Sequence, residues 1–237
     1  MKKEEWDKIS DLELKWWKEW KSRYNLDDVR EQFEVKAEKI KKYIRLAYDD
    51  IRDLKILDVG PAATAEINFL KEGHRYAIDP HADFFKNEFP ELVDPRVDFI
   101  EGLAEELPYP DNFFNVILMM NVLDHCFDPE KALKEMHRCL CDGGMVILRV
   151  TVYNRLLWFI HKLFGFVDRE HPFAFTAGII DDMIGRNFDV IAREFMPSIF
   201  PNYDPIKRTI FNFLNLFKSA PVLYNVAARK KCSSTVS

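Results

Sequence analysis

The chain has 237 residues, of which 48% are hydrophobic, and its formal net charge is −5. This size suits one α/β domain with a modest extension, and the weakly acidic balance gives no electrostatic reason to expect a nucleic-acid partner. Charged residues follow Met1, so we expect no signal peptide. No run of about 18 apolar residues occurs, so we expect no membrane span. The four cysteines lack metal-site spacing, so we expect reduced thiols, no bound metal and a cytoplasmic location.

Residues 1–52 are predicted to form a helical cap. Apolar residues recur there at helical spacing, namely Val29, Phe33, Ala37, Ile40, Ile44 and Tyr48. An earlier apolar face carries Trp6, Ile9, Trp16 and Trp20. We interpret Trp16, Trp17 and Trp20 as packing residues; the alternative is that these three line an aromatic substrate mouth. The cap would precede an α/β domain over residues 53–230 and a polar tail over residues 231–237.

The stretch Lys55–Asp79 predicts a βαβ unit. Ile56, Leu57 and Val59 form an apolar strand, which Gly60-Pro61 interrupts. A helix is predicted over Ala62–Leu70, and a second strand follows Gly73 and ends in Asp79. Such a unit forms a nucleotide-sized crevice at the carboxyl ends of its strands.

Strands and helices continue to alternate about every 20 residues, which predicts a parallel sheet with right-handed crossovers. The predicted helices are Ala82–Phe89, one from Pro129 to about Leu140 capped by Asp128, and one capped by Thr176 that ends near Gly185. The predicted strands are Val97–Ile100, Val116–Met120, Met145–Val150 after a Gly143-Gly144 turn, Phe188–Phe195 and Val222–Ala228. Aromatic amphipathic helices are predicted over residues 154–166 and 206–217, as lids on the α/β domain.

Two cofactors compete for the crevice at this βαβ unit. The spacing Gly60-x-Ala62-x-x-Ala65, with Asp79 as a ribose-binding acid, resembles a weakened dinucleotide motif. Asp58, however, would repel a pyrophosphate and suit a ligand that carries an ammonium and a sulfonium. Pro61 also removes one backbone N–H from the turn that would have to bind phosphate. These two residues favour S-adenosylmethionine over NAD.

Longer segments carry a family resemblance. They are ILDVG at 56–60, YAIDP at 76–80, EGLAEELPYPDNFFNVI at 101–117, NVLDHCFDPEKALKEMHRCLCDGGMVIL at 121–148, HPFAFT at 171–176 and VLYNVAARK at 222–230. In order and spacing they resemble the class I, Rossmann-like S-adenosylmethionine-dependent methyltransferases. The resemblance covers about residues 54–195 and is weaker at 222–230. It implies a seven-stranded, mostly parallel sheet flanked by helices, with its last strand antiparallel.

The resemblance also implies positions for the cofactor, whose reaction product would be S-adenosylhomocysteine. Facing the methionine moiety would be Asp58, Gly60 and the backbone of Pro61, Ala62 and Ala63. Asp79 would hold the ribose, and Pro80, Leu103, Ala104 and Glu105 would surround the adenine. Asn121, Val122, Leu123 and Asp124 would pass beneath the sulfonium.

The sequence departs from the family pattern at the glycine-rich turn, which keeps only Gly60, and at Leu103 and Asn115, where the family usually has acids. A catalytically silent methyltransferase-like binding or scaffold protein is therefore the alternative function, and a NAD-dependent oxidoreductase is a third.

The candidate catalytic residues are Asp124, His125 and His171, and Tyr153 and Asn154 are candidate substrate contacts. The acceptor is expected to be a small molecule, a glycan or a lipid-linked intermediate. Peripheral membrane contact through the aromatic helices is an alternative to plain packing of those helices.

Overall fold

The computed structural model describes residues 3–164, 173–197 and 221–231. Its helices are α1 (Lys3–Lys21), α2 (Leu26–Ile44), α3 (Glu66–Phe69), α4 (Ala82–Glu88), α5 (Pro129–Cys139), α6 (Arg155–Phe164) and α7 (Ala177–Gly185). Its strands are β1 (Lys55–Val59), β2 (His74–Asp79), β3 (Asp98–Glu101), β4 (Phe114–Met120), β5 (Leu140–Val152), β6 (Phe188–Pro197) and β7 (Val222–Lys230). His171, the predicted helix 206–217 and the end of the predicted helix 154–166 lie outside the described residues.

The strands form one seven-stranded sheet in the order β3-β2-β1-β4-β5-β7-β6. Strands β1 to β5 pair in parallel, whereas β7 is antiparallel to both β5 and β6. The predicted Rossmann-like, mostly parallel fold with an antiparallel last strand is thereby confirmed. The strand order reverses between β1 and β4, and in such sheets ligands bind beyond the carboxyl ends of the strands at this switch point.

The predicted helical region at the amino terminus packs on one face of this sheet. Helix α2 buries Val29, Ala37, Ile40 and Ile44, which belong to the predicted apolar stripe. On α1, Trp17 is buried and its ring meets the edges of Phe85 and Phe89, with centroids 5.4 and 5.7 Å apart. Burial of such aromatic pairs stabilises the contact between α1 and α4 beyond the area that they cover.

Two predicted elements differ from the structure. The helix expected over Ala62–Leu70 is reduced to α3, because Ala62 is left-handed (φ +50°) and Ala65 is extended. The Gly143-Gly144 turn lies inside β5, where the pairing with β4 shifts from Phe114↔Leu140 to Val116↔Met145. Gly143, at φ +73°, lets the extra residues loop out of the strand without steric strain.

Among the described residues, no helix combines the length and apolar character that crossing a bilayer requires. Cys126, Cys139 and Cys141 are free thiols.

Candidate cofactor site

A cavity of about 380 Å³ lies at the switch point of the sheet. Its sheet side consists of residues at and after the carboxyl ends of β1, β2, β3 and β4, together with Arg149 of β5: Val59, Gly60, Pro61, Ala62, Thr64, Glu66, Ile78, Asp79, Pro80, Gly102, Leu103, Ala104, Glu105, Met120, Asn121, Val122, His125, Cys126 and Arg149. Its outer wall comes from α1 and α2: Trp6, Ser10, Glu13, Trp16, Trp17, Phe33 and Lys36. The cavity therefore lies between the sheet and the amino-terminal helices.

Two backbone turns with left-handed residues line this cavity. Gly60 (φ +69°) and Ala62 (φ +50°) are left-handed after β1, and Asn121 (φ +59°) is left-handed after β4. The Gly60 N–H donates to Ile78 O (2.8 Å), and the Asn121 N–H donates to Arg149 O (2.8 Å). A left-handed alanine is unfavourable by about 1–2 kcal/mol, and such strain concentrates at functional sites.

Gly60 also needs to be glycine because of its neighbour. A Cβ at this position would lie 2.5 Å from Val122 Cγ1. We expect Gly60→Ala to destabilise the fold by about 2–4 kcal/mol in urea unfolding, from backbone strain plus overpacking. The matched control is Gly143→Ala, which has a similar φ of +73° but no neighbouring atom within 4 Å of the position that its Cβ would take, so about 1 kcal/mol is expected. Equal losses in the free energy of unfolding for Gly60→Ala and Gly143→Ala would contradict a close approach of the turns after β1 and β4.

Asp79 ends β2 with its carboxylate fixed in the cavity. It is 5% exposed. Its Oδ1 accepts from the His81 N–H (2.8 Å) and its Oδ2 accepts from the Ala62 N–H (3.1 Å). Burial raises the pKa of Asp79 to about 7, and the nearby Glu13 carboxylate acts in the same direction. A buried carboxyl group with two backbone donors, titrating near neutrality, suits a ligand that brings further hydrogen-bond donors.

A row of buried polar side chains lies on the face of the sheet that α2 and α3 cover. Arg149 Nη1 donates to Glu66 Oε1 (2.7 Å), and Arg149 Nε donates to Asn225 Oδ1 (2.9 Å). The Asp58 carboxylate is 1% exposed. Burial, reinforced by Glu66, raises the pKa of Asp58 well above its ordinary value, and a hydrogen bond from the Ile67 N–H opposes this shift. A ligand ammonium would stabilise the ionised form of this buried carboxylate.

Ten of the predicted cofactor residues line the cavity: Gly60, Pro61, Ala62, Asp79, Pro80, Leu103, Ala104, Glu105, Asn121 and Val122. The other three, Asp58, Ala63 and Leu123, are buried and do not line the cavity. The Glu105 carboxylate accepts from the Asp128 N–H (3.0 Å), which links the adenine-side loop to the start of α5.

Of the described candidate catalytic and substrate residues, some line the cavity and others do not. His125 lines the cavity, and its carbonyl accepts from Trp6 Nε1 (3.2 Å). Asp124 is buried outside the cavity wall. Tyr153 and Asn154 do not line the cavity either; the Tyr153 N–H donates to Phe175 O (2.8 Å), and Asn154 Oδ1 accepts from the Leu157 N–H (2.8 Å) at the start of α6.

Sequence reasoning missed several polar residues of the site. Arg149 gave a usable signal, because it is a charged residue inside the apolar strand MVILRV. Glu66 directly follows the turn after β1, but its partner is 83 residues away. Glu13 and Lys36 had no distinguishing signal, because charges between apolar helix positions usually mark a solvated face.

Comparison with known proteins agrees with this geometry. Residues 57–148 match the family model described as a methyltransferase domain. The ubiquinone/menaquinone biosynthesis C-methyltransferase UbiE of Vibrio campbellii is 41% identical over 49 residues, which are 21% of this chain and 19% of that protein. The chain thus spans about a fifth of the length of the curated relatives it matches.

Solved structures share the fold. An S-adenosylmethionine-dependent methyltransferase from Mesorhizobium loti superposes with a TM-score of 0.55 at 16% identity, over 78% of this chain and 94% of that chain. The geranyl diphosphate C-methyltransferase from Streptomyces coelicolor, in complex with Mg²⁺, geranyl diphosphate and S-adenosylhomocysteine, gives 0.64 at 12% identity, over 83% and 79% of the two chains. At these identities the likeness shows the fold.

Fold and cavity together define a class I, Rossmann-like methyltransferase architecture. Because residues 57–148 match the methyltransferase domain model, the predicted resemblance to this family is confirmed.

Proposed function

We propose that this protein transfers a methyl group from S-adenosylmethionine to a small-molecule acceptor. The observation that carries the proposal is the position of Asp79. Its buried carboxylate faces the cavity at the carboxyl end of β2, beside the left-handed turn after β1 and within the methyltransferase domain. A diol of a nucleoside ribose is a natural partner for such a carboxylate, since it brings two O–H donors.

The residues present fit the chemistry of this cofactor. Asp79 would hold the ribose hydroxyls, and the apolar surfaces of Pro80, Leu103 and Ala104, which line the cavity, would contact the adenine. The buried carboxylate of Asp58 would attract the cofactor's ammonium. The turn after β1 disfavours a dinucleotide, because Pro61 has no N–H and the Ala62 N–H already donates to Asp79, which leaves fewer donors for a pyrophosphate.

When bound, the cofactor supplies an electrophilic methyl group on a sulfonium. The chain's own contribution is alignment and the exclusion of water. Trp6, Trp16 and Phe33 form an apolar wall over the cavity and would keep water away from the reacting groups. His125 lines the cavity where β4 ends, and we propose it as the group that takes a proton from an oxygen or nitrogen acceptor.

The aromatic wall also favours an acceptor with apolar surface over a glycan. Helix α6 adds exposed apolar side chains, Leu156 at 65% and Phe159 at 53% exposure, which suit an apolar or lipid-linked molecule.

Calorimetry with S-adenosylmethionine, S-adenosylhomocysteine and NAD⁺ tests the proposal. We expect both sulfur compounds to bind with dissociation constants on the order of micromolar, about −8 kcal/mol, and NAD⁺ to show no measurable binding. Absence of binding by either sulfur compound would instead support the scaffold alternative. Binding of NAD⁺ alone would overturn the proposed cofactor.

A further inference from the structure

Two charged side chains project into the cavity from the amino-terminal helices, Glu13 from α1 and Lys36 from α2. The other cavity residues of α1 and α2 are aromatic, apart from Ser10. Neither helix belongs to the segment 57–148 that matches the methyltransferase domain. A charge in an otherwise aromatic wall is unfavourable unless it has a partner, so both residues need an explanation.

Lys36 lies without a polar partner in the part of the chain that the structure describes. Its ammonium sits 3.7 Å from the centroid of the Phe33 ring. By contrast, Lys39 and Lys41 of the same helix form ion pairs with Glu194 (2.7 Å) and Glu38 (2.9 Å). Burial lowers the pKa of Lys36, and Glu66 opposes this effect while Arg149 adds to it. Lys36 is therefore a desolvated cation beside the buried Glu66–Arg149 pair.

Glu13 also lines the cavity and lies close enough to Asp79 to raise the pKa of that carboxyl group. No hydrogen bond or ion pair of the Glu13 side chain occurs among the described residues. Helix α1 is fixed here on both sides of Glu13, because Trp6 Nε1 donates to His125 O and Ser10 Oγ hydrogen-bonds to His81 Nε2. Two carboxylates facing one space repel each other unless a ligand with O–H or N–H donors lies between them.

The charges along the cavity match one ligand chemistry. Lys36 lies close enough to Glu66 and Arg149 for both to shift its pKa, and both also act on Asp58; this mixture of acids and bases suits an α-amino-acid zwitterion. Glu13 acts on Asp79, and this pair of carboxyl groups suits the hydroxyl groups of a nucleoside.

We propose that α1 and α2 complete the cofactor site, with Lys36 binding the α-carboxylate of the cofactor's amino-acid end and Glu13 accepting a hydrogen bond from its nucleoside end. This inference rests on the proposed function. It makes the amino-terminal helices part of the binding site as well as part of the packing.

The test uses two ligands that differ at one end. S-adenosylhomocysteine carries both the nucleoside and the amino acid, whereas 5′-methylthioadenosine keeps the nucleoside and lacks the amino-acid end. We expect Lys36→Met to weaken S-adenosylhomocysteine binding about tenfold and to leave 5′-methylthioadenosine within about twofold, because only the former has a carboxylate. Glu13→Gln should weaken both ligands by about fivefold, because it removes the charge of the acceptor but not its shape.

Matched controls come from the exposed faces of the same helices. Lys42→Met on α2 and Asp11→Asn on α1 should leave both affinities unchanged, since both side chains are exposed. Lys36→Arg should retain most of the affinity for S-adenosylhomocysteine, because it restores a cation. Thermal unfolding of each variant shows whether the fold is intact.

The outcomes separate this inference from the proposed function. If the wild-type protein binds S-adenosylhomocysteine and both variants match it, the cap helices do not hold the cofactor and the inference is wrong, while the proposed function stands. If Lys36→Met weakens the binding of both ligands by the same factor, the assignment of Lys36 to the amino-acid end is also overturned. If the wild-type protein binds neither ligand, the proposed function is wrong, and this inference is wrong with it.

Discussion

Asp79→Asn is expected to weaken S-adenosylhomocysteine binding by about 100-fold at pH 8, as two charge-assisted hydrogen bonds are lost. The wild-type carboxylate is oriented by the His81 and Ala62 N–H groups, which leaves its remaining lone pairs for ribose hydroxyls. Calorimetry measures the effect. Asp83→Asn, on the exposed surface of α4, is the matched control and should bind as the wild type does.

The same residue gives a pH dependence with a defined sign. The pKa of Asp79 is about 7 in the unliganded protein, far above its ordinary value, because the carboxyl group is buried. Ribose hydroxyls donate to the ionised form, so ligand binding lowers this pKa and releases a proton. Affinity should therefore rise from pH 6 to pH 8 in the wild type and change much less in Asp79→Asn. An affinity that falls over this interval would show that the ribose is held elsewhere.

Arg149→Met is expected to lower the free energy of unfolding by about 3–5 kcal/mol, because it leaves the buried Glu66 carboxylate without its partner. The Arg149 and Glu66 side chains are 7% and 3% exposed, and Arg149 also donates to Asn225. Urea denaturation of the wild type and the variant measures the difference. The matched control is Arg186→Met, because the ion pair of Arg186 with Glu130 has a similar length, 2.8 Å, but lies on the exposed surface.

For that exposed control, a loss of at most about 1 kcal/mol is expected, because water screens the pair. The double variant Glu66→Gln, Arg149→Met should be less destabilised than the sum of its single changes, since it removes both charges together. Equal losses for Arg149→Met and Arg186→Met would mean that the buried pair contributes no more than a surface pair.

Much of the nucleotide-binding half of the fold is predictable from local sequence. Ile56, Leu57 and Val59 define β1, Gly60 marks its end, and Asp79 ends the next strand. These features are local, because strand propensity, turn chemistry and the position of an acid after an apolar run depend on near neighbours. The helix after Gly60 could not be predicted in its true length, because the left-handed Ala62 is held there by a hydrogen bond to Asp79, 17 residues away.

The polar network of the site depended on long-range contacts. Arg149 meets Glu66 only because β5 and the turn after β1 reach the same face of one sheet. Glu13 and Lys36 look like ordinary surface charges on amphipathic helices, and the cavity becomes their environment only when α1 and α2 dock.

The sequence by itself determined the βαβ organisation, the strand alternation, the family resemblance and most of the residues at the carboxyl ends of the strands. Those properties follow from apolar periodicity, from glycine and from the order of motifs along the chain. Only the tertiary structure decided which charges face the cavity, which carboxylates are buried and which helices close the site. The physical reason is that burial, desolvation and ion pairing depend on distances between segments that are remote in sequence.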